Sequence, residues 1–364
     1  MALLNQLEEL AQEAATVADT QTTAPFIFSA AGLDHPHIYS MVQGLLDAGA
    51  QLMHIYDRNP KQANALQHRF QTGEVVSELS QILHSEVDLI VTSIVPSGRG
   101  ALGIQVLEHN KHFLSAKAPF TTMAQLHAAE EAVRRTGKKW AVFYSERLAV
   151  EAALLADNII QEGLIGDLFQ LTGSGPHRLQ ADTRPDWFFD PQKNGGILCD
   201  IGSHQIEQLL HYTRSKEAEV LHSKVANYAH PQYGSWQDFG DATLVTNTGI
   251  SQYFRVDWFT PDGLRVWGDG RTVLHGTNGY VELRKYTDVA RSAEGEHLYV
   301  VTDREEVYFS AKGRVGVPYF RQLITDCQQG TETAMSQEHT FQAAALAIQA
   351  QEQAISLTKV GEKQ

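Results

Sequence analysis

A chain of 364 residues is too long for one ordinary domain and long enough for two, each with a substantial apolar core. Its formal net charge of -14 at pH 7 argues against partners that attract basic proteins, so we expect neither nucleic-acid binding nor membrane attachment. The two cysteines, Cys199 and Cys327, are too few and too far apart for a disulfide framework, which favours a reducing, cytoplasmic location.

Residues 1–24 are predicted to form a helical extension. Apolar residues recur there at helical spacing, at Leu3, Leu4, Leu7, Leu10, Ala11 and Ala14. Acidic residues interrupt this apolar pattern and no Lys or Arg precedes Arg58, so the segment is not expected to be a secretory signal. We expect the helix to dock on the body of the protein or on another subunit.

Residues 25–145 are predicted to form a dinucleotide-binding domain of the Rossmann type. Short apolar runs alternate there with longer helical stretches, which is typical of a parallel sheet with crossover helices. The predicted strands run from Phe26 to Ala30, Gln51 to Tyr56, Val87 to Val95, Phe113 to Ser115 and Trp140 to Tyr144. Helices are predicted to begin near Pro36 and to run from Met123 to Thr136.

The turn after the first strand is the predicted pyrophosphate site. It reads SAAGLDHPHI, and Gly32, between Ala31 and Leu33, is the one residue left of the usual three-glycine pattern. Asp57 ends the second strand, where an acid binds the ribose hydroxyls and favours NAD. Arg58 can instead pair with the 2′-phosphate of NADP, and Asp57 can simply begin the turn Asp57-Arg58-Asn59-Pro60.

We therefore predict NAD as the cofactor, with NADP as the alternative. The predicted contacts are Ala31, Gly32, Leu33, Asp57, Arg58, Ser93 and Lys117.

Residues 146–364 are predicted to form a substrate-binding and oligomerisation domain. A helix around Ala149 to Gln161 and a strand from Leu168 to Gly173 open it. Alternating or β-branched segments then predict a mainly antiparallel, open sheet, before an Ala-rich helix from Gln337 to Leu357. These segments are Ala242 to Thr246, Ser251 to Trp258, Gly279 to Leu283 and Leu298 to Val301. The whole chain is expected to be α/β followed by α+β.

The segment NGGILCDIGSHQIEQLL carries the strongest chemical signal. Asn194, Gly195 and Gly196 predict a turn close to a ligand, followed by a helix. Asp200 and His204 fall four residues apart on one helical face, which Glu207 and His211 extend. A histidine suits the base that takes a hydroxyl proton as hydride leaves, and Asp200 can orient it. The alternative is a helix whose polar face meets water.

This segment, together with Lys117 in SAKAPF and Arg147 in YSERLAVEA, resembles the Gfo/Idh/MocA oxidoreductase family from about Phe26 to the end of the chain. The resemblance implies that Lys117, Asp200 and His204 surround the substrate carbon that faces the nicotinamide. Ala116 and Ala118 depart from the family's usual Glu and Pro, and a usual histidine is replaced near Arg99. The family acts on sugars, inositols and related polyols, so a sugar-like substrate is implied.

The predicted substrate contacts are Lys117, Arg147, His177, Trp187, Asp200 and His204. His177 and Trp187 belong to a loop that also holds Arg178, Arg184 and Asp186 and that leads to the Asp200 segment. Hydrogen-bonding groups beside an aromatic plate suit a sugar, although the aromatic residues can equally plug a domain interface. Trp258, Trp267, Asp269 and Arg271 are further candidates, unless they merely line the sheet and its turns.

Four classes of function compete for these residues. The leading one is oxidation or reduction of a secondary alcohol, and the second is an NAD-assisted epimerase or lyase that oxidises its substrate transiently. A metal-dependent lyase or isomerase using Asp200, His204 and one of His177, His230 or His275 lacks a compact ligand motif, so no metal is expected. A non-catalytic sensor conflicts with the intact Lys, Asp and His set. We also expect a homodimer or homotetramer, because one face of the second sheet needs a cover.

Overall fold

The computed structural model describes residues 2–18 and 25–357. Residues 19–24 of the predicted extension, and the last seven residues of the predicted second domain, 358–364, lie outside this description. The extension forms helix α1 (Ala2–Ala18). Its apolar residues Leu3, Leu7 and Ala11 are buried, so the helix docks on the body of its own chain.

The first sheet is parallel and has six strands, β1 (Ile27–Ala31), β2 (Gln51–Tyr56), β3 (Glu74–Val75), β4 (Leu89–Thr92), β5 (His112–Ala116) and β6 (Trp140–Phe143). Its helices are α2 (His37–Asp47), α3 (Pro60–Phe70), α4 (Leu79–Leu83), α5 (Pro96–Glu108) and α6 (Met123–Thr136). The strand order is β3-β2-β1-β4-β5-β6. This order places a crevice at the carboxyl ends of the neighbouring strands β1 and β4, where the strand order reverses. The predicted Rossmann fold is thereby confirmed.

Two helices, α7 (Ser145–Leu148) and α8 (Glu151–Gln161), lead to the second sheet. Its nine strands are β7 (Leu168–Pro176), β8 (Ala218–Ala226), β9 (Phe239–Thr246), β10 (Ser251–Asp257), β11 (Arg271–Gly276), β12 (Gly279–Arg284), β13 (His297–Thr302), β14 (Glu306–Ser310) and β15 (Ile355–Leu357). The order is β14-β13-β12-β11-β7-β10-β9-β8-β15. All neighbours are antiparallel except β7 with β10 and β8 with β15, so the mainly antiparallel prediction is confirmed.

The remaining helices are α9 (Pro191–Asn194), α10 (Ser203–Thr213), α11 (Tyr319–Gln329) and α12 (Gln337–Glu352). Short 3₁₀ turns lie at Ala181–Thr183, Asp186–Phe189 and Pro231–Tyr233, and a π-helical turn at Leu198–Gly202.

The C-terminal helices join the two sheets. The ring of Phe341 in α12 stacks on Phe120, with centroids 5.9 Å apart, and the Gln337 side chain bonds both backbone groups of Trp140 in β6. In α11, Phe320 packs on Phe143 at 4.9 Å and fills the space beside Gly44, where a Cβ would lie 2.1 Å from the ring. One continuous apolar core therefore extends across both sheets, and the predicted division after residue 145 stays a prediction.

Three predicted elements were too long. The strand expected from Val87 to Val95 covers only Leu89–Thr92, because the apolar run continues into a buried turn. The helix expected from Ala149 to Gln161 begins at Glu151, after the separate short helix α7. The C-terminal helix ends at Glu352, and Ile355–Leu357 adds the edge strand β15 to the second sheet.

Candidate active site

Gly32 shapes the crevice of the first sheet. Its φ of 77° lies in the left-handed region, and a Cβ at this position would be 2.8 Å from Ile94. The crevice is a cavity of about 440 Å³, and its lining includes Ala31, Gly32, Asp57 and Arg58. The four predicted cofactor contacts that it brings together lie where a dinucleotide binds in this fold, so the residues fit NAD.

Asp57 is bonded to the turn that it faces. The backbone N–H groups of Leu33 and Asn59 each donate to its carboxylate at 2.7 Å. Burial raises the pKa of Asp57, although these two hydrogen bonds oppose the shift. The acid therefore both braces the glycine turn and borders the cavity. The sequence suggested two roles for Asp57, binding the ribose hydroxyls and beginning a turn, and this geometry allows both.

Two predicted cofactor contacts lie behind the cavity wall. Leu33 is buried and contributes its N–H to Asp57. Ser93 is fully buried and its hydroxyl donates to the carbonyl of His35 at 2.6 Å. Both residues therefore brace the pyrophosphate turn and their side chains do not line the cavity, and their predicted contacts with the cofactor stay predictions.

Lys117 follows β5 and is held by Arg99 of α5. The Arg99 guanidinium is 1% exposed and donates to the carbonyls of Ala116, Lys117 and Ala118 at 3.0, 2.5 and 2.9 Å. The peptide bond between Lys117 and Ala118 is cis. Arg99 was noted from sequence only as the residue near which the family's histidine is replaced. Its long side chain binds three successive carbonyls and so fixes the backbone from which Lys117 projects.

The ammonium group of Lys117 is bonded to the carboxylate of Asp200. Burial alone would raise the pKa of Asp200, but the charge and hydrogen bond of Lys117 lower it. Asp200 lies in the π-helical turn Leu198–Gly202. The expectation that Asp200 orients His204 is wrong in this structure, because the Asp200 carboxylate is bonded to Lys117 and Nδ1 of His204 has no hydrogen-bond partner among the described residues.

His204, in the first turn of α10, is 2% exposed. Its Nδ1 has no hydrogen-bond partner among the described residues, and its ring meets Tyr144 edge to face at 6.0 Å. Burial and the nearby Lys117 lower the pKa of His204 to about 3, although Glu146 acts in the opposite direction. The imidazole is therefore neutral at physiological pH and able to accept a proton. The alternative of a water-facing helix is excluded, because Glu207 of the same helix is also buried.

The turn of Asn194, Gly195 and Gly196 packs against the protein itself. Gly195 and Gly196 have φ values of 87° and 85°. A Cβ on Gly196 would lie 2.3 Å from Gln351 of α12, and one on Gly195 would lie 3.0 Å from Thr121. The prediction of a turn is confirmed. The glycines allow close contact with α12 and with the loop before α6, which fixes the start of the Asp200 turn.

Arg147 is not placed to bind a substrate, which corrects the sequence prediction. Its guanidinium pairs with Glu207, with Nε donating at 2.8 and 2.9 Å to the two carboxylate oxygens. Both side chains are almost fully buried, at 4% and 0% exposure. His339 of α12 lies 3.1 Å from the same carboxylate. The pair joins α7, α10 and α12 behind the site.

The predicted substrate loop reaches the crevice. Trp187 is half-buried and its ring centroid is 6.4 Å from that of His35, which follows the glycine turn. Arg184 stacks on Phe188 at 4.7 Å and on Trp258 at 5.3 Å. Trp187 therefore bridges the two halves of the molecule, while the neighbouring aromatic residues form a packed cluster.

His177 lies at the inner end of this loop. Its ring packs edge to face on Trp267 and Trp258, at 4.5 and 5.5 Å. Its Nε2 is 3.8 Å from Oε1 of Glu146 in α7. Arg178, its neighbour, bonds the carbonyls of Pro261 and Leu264 and so fixes the loop to the segment after β10.

Two titratable groups of the site were missed from sequence. His35 is close enough to Lys117 and Asp200 for both charges to act on it, and burial together with Lys117 lowers the pKa of His35 to about 3. Glu146 precedes Arg147 and is 1% exposed. Position in the DHPHI turn could have indicated His35, whereas nothing in the pattern around Glu146 separates it from a surface glutamate.

Within residues 2–18 and 25–357, no group of three or more His, Cys, Asp or Glu side chains is arranged to hold a metal ion. In the same part of the chain, no helix has both the length and the apolar character needed to cross a membrane. His230, one of the ligands considered for a metal, is paired with Asp238 at 2.9 Å.

Two family descriptions match the sequence. Residues 31–144 match the oxidoreductase family with an NAD-binding Rossmann fold, and residues 154–282 match the GFO/IDH/MocA C-terminal domain. No curated protein matches the chain significantly.

Solved structures resemble the whole chain. A protein named as an oxidoreductase from Erwinia carotovora atroseptica is 43% identical, with a TM-score of 0.89, over 92% of this chain and 100% of that one. A levoglucosan dehydrogenase in complex with NADH and levoglucosan is 17% identical, with a TM-score of 0.75, over 90% and 96%. A 3-ketoreductase from Actinomadura kijaniata with NADP and TDP-benzene is 15% identical, with a TM-score of 0.74, over 92% and 99%. The last two likenesses show the fold alone.

Proposed function

The chain belongs to the GFO/IDH/MocA family of NAD-binding oxidoreductases, and on this premise we propose that it oxidises or reduces a secondary alcohol of a sugar, inositol or related polyol. The observation that carries the proposal is the buried ion pair of Lys117 and Asp200, which joins the end of β5 to the turn before α10. His204 lies one helical turn beyond Asp200. The levoglucosan dehydrogenase of the same fold acts on a sugar, which supports this substrate class.

NAD, when bound in the crevice, supplies the acceptor for the hydride that leaves the alcohol carbon. The chain's own residues handle the hydroxyl. The positive charge of Lys117 stabilises the developing negative charge on the substrate oxygen, because a buried cation acts strongly in a site that excludes water. Asp200 holds the ammonium group in place. The O–H bond breaks as the proton passes to the neutral imidazole of His204.

The loop around Trp187 supports the choice of a sugar-like substrate. The ring centroid of Trp187 lies 6.4 Å from that of His35, on which the charges of Lys117 and Asp200 act. Such an aromatic plate matches a ring that has an apolar face and polar edges. His177 and Trp187 therefore stay as candidate substrate contacts, with Lys117, Asp200 and His204. Arg147 leaves this set because its guanidinium is occupied by Glu207.

A panel of aldoses, inositols and linear polyols, each mixed with the purified protein and either NAD or NADP, tests the proposal by the fluorescence of reduced nicotinamide. Turnover on at least one polyol is expected, and it should fall by roughly 10²-fold or more in Lys117→Ala. Copurified NAD without net turnover on any polyol would contradict it and favour an epimerase or lyase that oxidises its substrate transiently.

A further inference from the structure

Glu146 is a buried carboxylate with one oxygen left over. Its Oε2 accepts hydrogen bonds from Lys285 at 3.2 Å and from Gln205 at 3.0 Å. Its Oε1 is sealed from solvent and has no hydrogen-bond partner among the described residues. A buried carboxylate oxygen without a hydrogen bond lowers the stability of the folded protein, and such atoms are rare outside functional sites.

The oxygen faces His177 across 3.8 Å. The Nδ1 of His177 lies 3.1 Å from the carbonyl of Gly175, which can only accept, so the neutral ring carries its proton on Nδ1. Its Nε2 is then an acceptor facing another acceptor. A proton placed on Nε2 would turn this contact from repulsive to attractive.

His204 belongs to the same cluster. Gln205, the residue after it, donates a hydrogen bond to Glu146. Of the charged groups that act on the pKa of His204 and of His177, the Glu146 carboxylate has the largest effect. The charged and titratable groups around the two histidines and Glu146 are Lys117, Asp200, Lys285, His35, His37, Tyr144 and Tyr286.

Among the carboxylates of this cluster, Glu146 acts most strongly on both histidines. Burial would raise the pKa of Glu146, but Lys285, His204 and His177 lower it to about 2, so the carboxylate is ionised. Asp200 is committed to Lys117. Glu146 is therefore the main group that opposes the loss of basicity that burial imposes on His204 and His177, with a weaker contribution from Asp200 at His177.

We propose that Glu146 is a positioning residue of the active site, and that its buried carboxylate stabilises the imidazolium formed when a proton leaves the substrate hydroxyl. The inference rests on the proposed function. In the oxidation the substrate O–H bond breaks and an N–H bond forms on His204, so the ring gains one positive charge. The fixed carboxylate balances this charge without moving, and the reduction reverses the same step.

Glu146→Gln tests the inference, because the amide keeps the shape and removes the charge. We expect kcat to fall by roughly 10-fold or more while KM for the polyol changes by less than about threefold. The acidic limb of kcat/KM for the oxidation should move to lower pH, since a histidine without its carboxylate is less basic. Asp326→Asn, at a buried carboxylate that bonds Thr331 and Thr333, is the matched control and should move neither quantity.

Glu146→Gln leaves Lys285 buried without its carboxylate, so the double variant Glu146→Gln/Lys285→Met is measured as well. It removes both charges and is expected to fold and to keep the low kcat. A kcat close to that of the wild type in either folded variant would overturn the proposal. A fall in kcat with an unmoved acidic limb would also overturn it, because a purely structural role predicts that result.

An NMR titration of the ring signals of His177 and His204 separates this proposal from the proposed function, since it needs no substrate. In the wild type the His177 signals should begin to move as the pH falls towards 4, because the pKa of His177 is lowered to about 4 by burial against the opposing effect of Glu146. Without the carboxylate the movement should shift to lower pH. An unchanged titration overturns the role of Glu146 even in a protein that oxidises polyols, and a shifted one supports it even if no polyol reacts.

Discussion

Asp200 binds the ammonium group of Lys117, although the two residues are 83 positions apart in the sequence. Lys117 follows β5 of the first sheet, whereas Asp200 lies in the π-helical turn before α10. The pair brings a cation from the first sheet to the carboxylate of the second half of the chain. The pair also places the ammonium group of Lys117 as the positive charge that can act on the substrate hydroxyl oxygen. Because Asp200 neutralises Lys117 in the resting site, substrate binding must share the ammonium group between the carboxylate and the substrate hydroxyl.

Loss of Lys117 or His204 should slow the reaction far more than it weakens cofactor binding. Lys117→Ala and His204→Ala are each expected to lower turnover by roughly 10²-fold or more, because each acts on charge or proton movement in the transition state. Asp200→Asn should have an intermediate effect. Steady-state kinetics and NAD titration measure both properties. Lys61→Ala and His68→Ala, at exposed positions of α3, are the controls, and turnover near the wild-type rate in either site variant would remove that residue from the mechanism.

Asp57 should make the protein prefer NAD to NADP. Its carboxylate borders the crevice and would repel a 2′-phosphate, so Asp57→Ala should narrow the preference, by roughly 10-fold in the ratio of the two dissociation constants. Calorimetric titration of both dinucleotides measures the ratio. Some loss of affinity for both is expected too, because Leu33 and Asn59 lose their acceptor. A wild-type preference for NADP would contradict the prediction and indicate that Arg58 binds the 2′-phosphate. The variant Arg58→Ala would then test that contact.

Arg147 should matter for stability rather than for substrate affinity. Arg147→Met leaves the buried carboxylate of Glu207 without its main partner, which costs roughly 3–5 kcal/mol in the free energy of unfolding. Urea denaturation measures this loss. The double variant Arg147→Met/Glu207→Gln should recover much of it.

Arg135→Met, which breaks an exposed pair with Glu108, is the control and should cost at most about 1 kcal/mol. A selective rise in KM for the polyol in Arg147→Met, without loss of stability, would return Arg147 to the substrate site.

Local patterns predicted the elements that local chemistry controls. The helix Met123–Thr136 has the predicted bounds, because Thr122 caps its first turn and Gly137 ends it in the left-handed region. The strand Gln51–Tyr56 was also predicted with its observed bounds. The strand predicted from Val87 was too long, because an apolar run cannot distinguish a strand from the buried turn at Ser93 that follows it.

In the candidate site, too, the sequence predicted the residues but not the contacts between them. Lys117, Asp200 and His204 were placed at one site through their motifs, but their partners could not be read from spacing. The bond between Lys117 and Asp200 and the bonds of Arg99 to the Lys117 segment depend on how the two halves pack. Glu146 and Lys285 are buried charges 139 positions apart, and only the folded chain brings them together.

Glu296 should make stability fall as the pH rises. Burial, together with the charge of Glu151, raises the pKa of Glu296 from 4.5 to about 7, although the N–H of Ala152 donates to its carboxylate. The folded protein therefore holds this proton more tightly than the unfolded chain. The contribution to stability is fully present below about pH 4.5 and is lost as the pH rises to about 7.

Glu296→Gln removes this dependence and keeps an acceptor for Ala152. At pH 8 the variant should be more stable than the wild type by on the order of 2 kcal/mol, and at pH 5 the two should be close. Urea denaturation at the two pH values makes the comparison, with Glu219→Gln at an exposed glutamate of β8 as the control. Equal stability at pH 8 would contradict the prediction.

The second sheet should associate with another copy of the chain. Helices α10 and α12 pack on the face that carries Leu244, Phe254 and Val256, all of them buried. The opposite face carries Tyr253 and Tyr280, which are 41% and 38% exposed. Exposed aromatic residues on an open sheet favour a protein partner, and two-fold pairing of identical faces is the commonest solution among soluble enzymes.

Light scattering at micromolar concentration is expected to give a multiple of the monomer mass of 40.4 kDa, corresponding to a dimer or to a tetramer of two such dimers. The double variant Tyr253→Lys/Tyr280→Lys places two like charges near their symmetry copies and should shift the protein to monomers. Leu4→Lys, on the exposed side of α1, is the matched control and tests a contribution of the N-terminal helix. A wild-type monomer would contradict the association. A dimer that survives the double variant but not Leu4→Lys would move the interface to α1, because the added charge acts only where a partner excludes water from it.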